Sequence, residues 1–487
     1  QRSFYVAVSH IYLIKDERGS GIMDGINQFF TWLNGYLWGP PLLILLFGTH
    51  LFMTVRTGFI QKKLSLAIRL SFARDKGGVG DVSQFGALAT ALAATLGTGN
   101  IVGVGTAIAL GGPGAVLWIW MTGIFGMATK YAEALVSIKY RVKTSDGTML
   151  GGAMYALERG LNMKWLGVLF AVFTMLSSFG IGCAVQANAV SKVVTENFEI
   201  PLWISGLVMA VTVAVVILGG VKSITAVCEM LIPFMAAFYV AGCLIILFID
   251  RAFVGDAILL ILHGAFTPQA AGGGFAAAGV MAAARYGVAR GLFTNESGMG
   301  SAAIVAAAAQ TRNPVRQALV SSTGTFWDTV VLCALTGVVL VSTILAHPAV
   351  AAVGREIDGA ALTSLAFSQI PVAGPVILSV GIIVFAFATI LGWSYYGERG
   401  AEYLFGKAAI PPYRAIYVMT TFLGAVMSLT TVWNIADTLN MLMAVPNLIC
   451  ILLLSGVVAK ETEYYLTDGN IERIDGAPVP LAERNRG

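Results

Sequence analysis

The chain has 487 residues, of which 57% are hydrophobic and only 11% are charged. Because a soluble domain carries about 25% charged residues, this composition excludes an ordinary soluble protein and indicates an all-α integral membrane protein. The formal net charge of +4 is too small to indicate a nucleic-acid partner, so we expect the partners to be the lipid bilayer and a small solute.

The first residues of the chain differ from the rest. Asp16 and Glu17 lie shortly before Met23, and no small-residue cleavage motif follows an apolar core, so residues 1–22 do not resemble a signal peptide. We expect this stretch to be a non-native or disordered extension. Residues 23–82 are predicted to hold one extra transmembrane helix, at about 35–55, and then an amphipathic cytoplasmic linker.

Runs of about 20 mostly apolar residues are typical of membrane-spanning helices. The chain contains eleven such runs, at about 35–55, 83–110, 113–136, 166–194, 202–218, 224–248, 273–310, 315–346, 372–396, 415–429 and 435–458. Without the first run, ten remain, which divide into repeats of five at 83–250 and 270–458. Since five is odd, the second repeat enters the membrane from the opposite side, which predicts an inverted-topology repeat.

The distribution of Lys and Arg predicts the orientation in the membrane. These residues are concentrated in the linker after the first run, in the loop after the third run and in the tail at 459–487. We therefore expect the N-terminus outside, the C-terminus and its tail in the cytoplasm, and a location in a prokaryotic inner membrane.

Each predicted repeat begins with an apolar run that a glycine-rich polar segment interrupts. The interruptions are Gly97-Thr98-Gly99-Asn100 and Asn295-Glu296-Ser297-Gly298-Met299-Gly300. Backbone leaves a helix at membrane depth only where protein or a watery cavity satisfies its polar groups. Paired broken helices of this kind are typical of the binding site of a secondary transporter.

At the first interruption, free amides of a helix that resumes near Asn100 suit a substrate carboxylate, and carbonyls that end the preceding half-helix suit Na⁺. Alternatively, Gly97 and Gly99 serve only to let helices pack closely. At the second interruption, Glu296 is an ionisable residue at membrane depth and so a functional candidate. Its alternative role is to brace the unwound segment by pairing with Arg290.

Three residues of other apolar runs are further candidates. Thr389 and Trp393 are four residues apart and share a helix face, where the hydroxyl could bind Na⁺ and the indole could wall a small pocket. Gln186 could hold the amine or the carboxylate of a substrate. The alternatives are ordinary packing for Trp393 and an interhelical hydrogen bond for Gln186. Phe293 is a lid, a pocket wall or simply a packed residue.

The sequence gives no sign of an enzyme. The five cysteines lie in apolar runs without a CxxC motif and the four histidines are scattered, so we expect no disulfide and no metal other than Na⁺. A nucleotide-binding Gly-x-x-x-x-Gly-Lys-Ser/Thr motif is also missing from the sequence, so energy is expected to come from an ion gradient.

Several segments together resemble the alanine or glycine:cation symporter family, also called the sodium:alanine symporters, of the amino acid–polyamine–organocation superfamily. The similar segments are Ser83–Leu92, Gly97–Ile101, Gly111–Met121, Asn295–Ser301 and Gly392–Glu398. The similarity runs from about residue 23 to residue 460. It implies a LeuT-type fold of five plus five helices with one additional N-terminal helix, and uptake of alanine, glycine or similar amino acids coupled to Na⁺ or H⁺.

The resemblance also implies roles for individual residues. The residues implied to bind substrate are Thr98, Gly99, Asn100, Gln186, Phe293, Thr294, Thr389 and Trp393. The ion is implied to lie near Gly97, Thr98 and Thr389, and Asn295, Glu296, Gly298 and Gly300 are implied to support the second break.

We therefore predict a monomeric secondary active transporter that takes up small neutral amino acids by alternating access. Its alternatives are an ion channel or an amino-acid sensor that uses the same broken-helix site. A membrane-embedded enzyme is disfavoured because no nucleophile–base pair is evident.

Overall fold

The computed structural model describes residues 20–73, 75, 77–267, 279–347, 359–427, 430–467 and 469–482. These residues are mostly helical, with one short hairpin of β1 (Val142–Lys143) and β2 (Met149–Leu150). The predicted extension at 1–22 lies almost wholly outside the described residues.

The N-terminal part contains two helices where one was predicted. Helix α1 is Ser20–Leu37 and helix α2 is Pro40–Arg56. Consecutive prolines at the start of α2 cannot donate backbone hydrogen bonds, so the chain turns there and the two helices are bent by 43°. The amphipathic linker forms a 3₁₀ turn at Ile60–Lys63 and helix α3 at Leu64–Ser71.

The helices of the first predicted repeat follow in chain order. They are α4 (Gln84–Thr95), α5 (Val104–Gly111), α6 (Ala115–Lys139), α7 (Ala153–Leu161), α8 (Lys164–Phe179), α9 (Val185–Phe198), α10 (Leu202–Leu218) and α11 (Gly220–Ile249). Helix α12 (Arg251–Gly264) lies between the two predicted repeats. Short π-helices at Gly99–Gly103 and Gly180–Ala184 lead into α5 and α9.

The second predicted repeat contains eight further α-helices among the described residues. They are α13 (Val280–Asn295), α14 (Ser301–Ala306), α15 (Pro314–Thr325), α16 (Ala334–Ala346), α17 (Gly359–Phe367), α18 (Ala373–Phe405), α19 (Ile410–Val426) and α20 (Thr430–Leu453). A π-helix at Phe326–Cys333 joins α15 to α16, and helix α21 (Ser455–Leu466) begins the predicted tail.

Within the described residues, five helical stretches are long and apolar enough to cross a membrane, and two bent helix pairs raise that number to seven. The stretches are Lys164–Phe198, Gly220–Ile249, Pro314–Ala346, Ala373–Phe405 and Asn434–Leu453, and the pairs are Asn27–Leu37 with Pro40–Arg56 and Gln84–Thr95 with Gly99–Gly111. All seven coincide with runs that the sequence predicted, so the chain is a multi-pass helical membrane protein.

Glycines let the central helices approach one another closely. A Cβ atom on Gly424 of α19 would lie 2.5 Å from Ala184 Cα and 2.7 Å from Ala184 O. A Cβ on Gly392 of α18 would lie 2.8 Å from the Cβ of Ala94 on α4. Since real Cβ atoms do not come so close, these contacts hold α18 and α19 against the helices that form the site.

We expect Gly424→Ala to destabilise the protein, because overpacking a tight core costs about 1–3 kcal/mol. The measurement is the thermal unfolding midpoint of the purified protein in detergent, which should fall. Gly48→Ala on α2 is the matched control, since nothing lies within 4 Å of the added Cβ. Equal midpoints for the two variants would contradict this packing.

Candidate binding site at the two helix breaks

The first broken helix is interrupted at the position that its glycines predict. Helix α4 ends at Thr95, Leu96 is extended, and the helix resumes as the π-helix at Gly99–Gly103 with its axis bent by 54°. The first amides of a resumed helix have no intrahelical acceptor, and the last carbonyls of the preceding one have no intrahelical donor. The break therefore exposes two sets of backbone groups that need partners.

The Asn100 side chain braces this break from inside. Its Oδ1 accepts a hydrogen bond from the Gly97 amide at 3.1 Å, and its Nδ2 donates to Asp328 Oδ1 at 2.7 Å. Its carboxamide is therefore engaged within the protein, and the role of Asn100 in binding the substrate carboxylate stays a prediction. Thr98, at the start of the π-helix, is buried.

The Thr389 hydroxyl lies in a cluster of oxygens at the end of α4. Its Oγ1 is 3.1 Å from Ala93 O, 3.2 Å from Leu96 O and 3.0 Å from Phe385 O. One hydroxyl has a single proton, so it can donate to only one of these carbonyls at a time. Because Gly97 donates its amide to Asn100, the Ala93 carbonyl lacks its usual helical donor.

The second broken helix unwinds through residues with a positive φ. Helix α13 ends at Asn295, and α14 resumes at Ser301. Between them, Glu296, Gly298 and Gly300 have φ values of 53°, 98° and 77°. This left-handed conformation is accessible to glycine without steric cost, which explains both glycines. Asn295 accepts the Ser297 amide through Oδ1 at 2.9 Å.

The main support of the second break is a residue that the sequence reasoning missed. Glu133 of α6 accepts the amides of Gly298, at 2.8 Å, and of Gly300, at 3.1 Å, through one oxygen. Asn447 of α20 donates to the same oxygen at 2.7 Å and to the Gly298 carbonyl at 2.8 Å. A carboxylate within an apolar run was the signal that could have identified Glu133.

Glu296 does not pair with Arg290. Its Oε2 accepts a hydrogen bond from the Ser301 hydroxyl at 2.5 Å, and the residue is buried. The Arg290 guanidinium instead lies over the Phe293 ring, 5.8 Å from its centroid.

Most of the predicted pocket residues converge on the first break. A Cβ on Gly97 would lie 3.0 Å from Thr389 Oγ1 and 3.7 Å from Gln186 Oε1. A Cβ on Gly99 would lie 3.3 Å from Thr294 Cγ2 and 3.5 Å from Phe293 Cδ1. The two glycines therefore keep open the space between these side chains.

Gln186 and Trp393 complete this neighbourhood. Gln186 Nε2 donates to Ile181 O at 3.2 Å, whereas its Oε1, which faces Gly97, has no hydrogen-bond partner among the described residues. Trp393 is buried against Gly182, and its ring meets Tyr396 edge to face with centroids 5.6 Å apart. It lies one turn along α18 from Thr389.

Among the described residues, no group of three or more His, Cys, Asp or Glu side chains could hold a metal ion. All five cysteines are buried free thiols. The arrangement of backbone carbonyls, amides and hydroxyls can bind a small zwitterion and an alkali cation, whose usual ligands are oxygens.

Comparison with known proteins identifies the family. Residues 23–474 match the sodium:alanine symporter family. The protein named sodium/alanine symporter AgcS, from Methanococcus maripaludis, is 49% identical over 451 residues, which cover 91% of this chain and 98% of that protein. The protein named probable sodium/glutamine symporter GlnT, from Bacillus subtilis, is 35% identical over 432 residues, which cover 87% of each.

A solved structure shows the fold. MhsT in complex with L-phenylalanine is similar with a TM-score of 0.54 at 17% identity, over 81% of this chain and 95% of that one. This likeness shows the LeuT-like helical fold that the resemblance implies. The match of residues 23–474 and the 49% identity to AgcS establish that the chain belongs to the sodium:alanine symporter family, whose members are membrane transporters and not enzymes.

Proposed function

We propose that the protein is a Na⁺-coupled symporter that takes up small neutral amino acids by alternating access. The observation that carries this proposal is the oxygen cluster around Thr389 at the end of the first half-helix. Relatives whose names describe sodium/alanine and sodium/glutamine symport support the class of ion and of substrate.

The Na⁺ site that we infer is made of the carbonyls of Ala93 and Leu96 and the hydroxyl of Thr389. The hydroxyl can satisfy only one carbonyl, so a cation at this point would use the remaining oxygen lone pairs and leave Thr389 as a ligand. The carbonyl end of the half-helix α4 is also the negative end of its helix dipole, which favours a cation there. Gly97 keeps the space beside Thr389 free.

The substrate site that we infer lies on the other side of the same break. The free amides of Thr98 and Gly99 would bind the carboxylate, since the positive end of the resumed helix points at it. Gln186 Oε1 would accept a hydrogen bond from the substrate ammonium, because this buried oxygen has no partner among the described residues. Phe293, Thr294 and Trp393 would limit the volume of the side chain.

The topology that we propose is the one that the sequence predicts: eleven spans, an inverted five-plus-five repeat and one extra N-terminal span. The C-terminus would then lie in the cytoplasm and the N-terminus outside, in the inner membrane of a prokaryote. A monomer is sufficient for this function, because the two breaks already meet within one chain through Gly99 and Thr294.

The uptake experiments described below distinguish Na⁺ coupling from H⁺ coupling, and a transporter from a channel or a sensor. A channel would give neither saturable uptake nor counterflow. A sensor would bind alanine without transporting it. The family favours a transporter over both.

The first prediction concerns Thr389. In liposomes with an inward Na⁺ gradient, the wild type should accumulate labelled alanine. Thr389→Ala should raise the Na⁺ concentration for half-maximal uptake at least about tenfold, which corresponds to about 1.4 kcal/mol for a lost ligand. Thr389→Ser, which keeps the hydroxyl, should stay close to wild type.

Thr420→Ala is the matched control for this experiment, because that exposed hydroxyl donates only within its own helix, to Ile416 O at 2.9 Å. An unchanged Na⁺ dependence of Thr389→Ala would reject the inferred ion site. Uptake driven only by a proton gradient would replace Na⁺ by H⁺ as the coupling ion.

The second prediction concerns substrate size. Trp393→Ala removes a buried ring beside the site, so unlabelled leucine should compete with labelled alanine at least about tenfold better than in the wild type. Trp165→Ala is the matched control, since that indole is 64% exposed. If the potency of leucine relative to alanine were the same in the wild type, Trp393→Ala and Trp165→Ala, Trp393 would not limit substrate size.

A further inference from the structure

The last described residues of the chain lie across one end of the helix bundle. We call residues 469–482 the C-terminal strap. Asn313, at the start of α15, donates through Nδ2 to the carbonyls of Ile471 and Arg473, both at 2.9 Å. The Asp475 amide donates to Arg312 O at 2.7 Å. These are bonds to main-chain atoms of the strap, which fix its path.

A four-residue charge cluster also attaches the strap. Asp75, whose side chain is fully buried, accepts Arg312 Nε at 2.7 Å and lies 3.3 Å from Arg316 Nε. Glu472 of the strap binds the same two guanidiniums, Arg312 at 2.7 Å and Arg316 at 2.8 Å. The hydrogen bond that Arg312 donates to Asp75 raises the pKa of Arg312 above its ordinary value, so that guanidinium stays charged. Two cations and two carboxylates balance only while Glu472 is in place.

The other end of the strap is bound to the first predicted repeat. Lys143 of β1 donates its amide to Pro480 O at 2.9 Å and accepts the Ala482 amide at 2.8 Å. Lys139, at the end of α6, lies 3.6 Å from the Asp475 carboxylate. The strap therefore connects α6 and β1 with α15, over a cavity of about 220 Å³.

Beneath the strap, the two broken helices are sealed to each other. The segment that leads into α4 meets the segment that follows α14: the Asp81 amide donates to Ala308 O at 2.7 Å, and the Gln310 amide donates to Val82 O at 2.7 Å. Arg141 spans this contact, because it donates to Ala309 O at 3.1 Å and to Val79 O at 2.9 Å. This end of the site is closed by main-chain bonds, which we call the seal.

We propose that the C-terminal strap is a latch that holds the seal closed and must detach from Arg312 and Arg316 before this face can open. Asp75 precedes α4 and the two arginines follow α14, so Glu472 stabilises the charges that hold the two sides of the seal together. The inference rests on the proposed alternating access, which requires each face of the site to open in turn.

The test measures opening of the seal with a cysteine reporter. Ala309→Cys places a thiol at a fully buried position of the seal, in a protein whose five native cysteines are buried. The purified transporter in detergent is treated with a water-soluble maleimide, and the labelling rate is followed. In the Ala309→Cys background, Glu472→Gln should label at least about threefold faster, and deletion of residues 470–487 should label faster still.

Glu463→Gln is the matched control, because it makes the same chemical change on α21. The Glu463 carboxylate forms no ion pair among the described residues. Its labelling rate should equal that of the Ala309→Cys parent. Glu472→Gln without the reporter cysteine should stay unlabelled, since only unfolding would expose the native thiols.

Equal labelling rates in the Glu472→Gln, deletion and parent proteins would overturn the latch. So would labelling of Glu472→Gln in the absence of the reporter, because faster reaction would then reflect unfolding. Alanine uptake by the wild type, measured in parallel, separates the latch from the proposed function. If the wild type accumulates alanine but the labelling rate of Ala309→Cys does not respond to Glu472→Gln or to the deletion, only the latch is contradicted. If the wild type does not transport alanine, the proposed function is contradicted.

Discussion

Backbone amides and carbonyls that leave a helix at membrane depth have no water to bond with, so the protein must supply their partners. This constraint shapes the centre of the molecule. At the first break, Asn100 takes the Gly97 amide, and Thr389 lies against the carbonyls that remain. At the second break, Glu133 and Asn447 bind the unwound glycines. Gln186 Oε1 beside the first break has no hydrogen-bond partner among the described residues, and it is one of the groups to which we assign the substrate.

Each break is bordered by buried carboxyl groups. Asp328 accepts a hydrogen bond from Asn100 beside the first break, and Glu133 and Glu296 lie beside the second. Buried carboxylates are costly unless they are paired or hydrogen-bonded, so these residues must be placed together. The hydrogen bonds that these carboxyl groups accept from Asn100, from Ser301 and from the Gly298 and Gly300 amides therefore hold the two breaks in shape.

The breaks themselves could be predicted because their signal is local: glycine and polar residues inside apolar runs. The partners could not, because Glu133 lies 165 positions from Gly298 and a single sequence does not show which helices face each other. For the same reason the contact between Asn100 and Asp328 could not be predicted. The segment after residue 459 was predicted only as a tail, since its attachment depends on the distant Arg312 and Arg316.

Hydrogen–deuterium exchange with and without ligands tests most directly the claim that both breaks form one site. The amides of residues 97–103 and 296–301 should gain protection together when Na⁺ and alanine are added, and neither segment should gain as much with alanine in K⁺. Protection of only one segment, or the same protection in K⁺, would contradict a shared, Na⁺-dependent site at the two breaks.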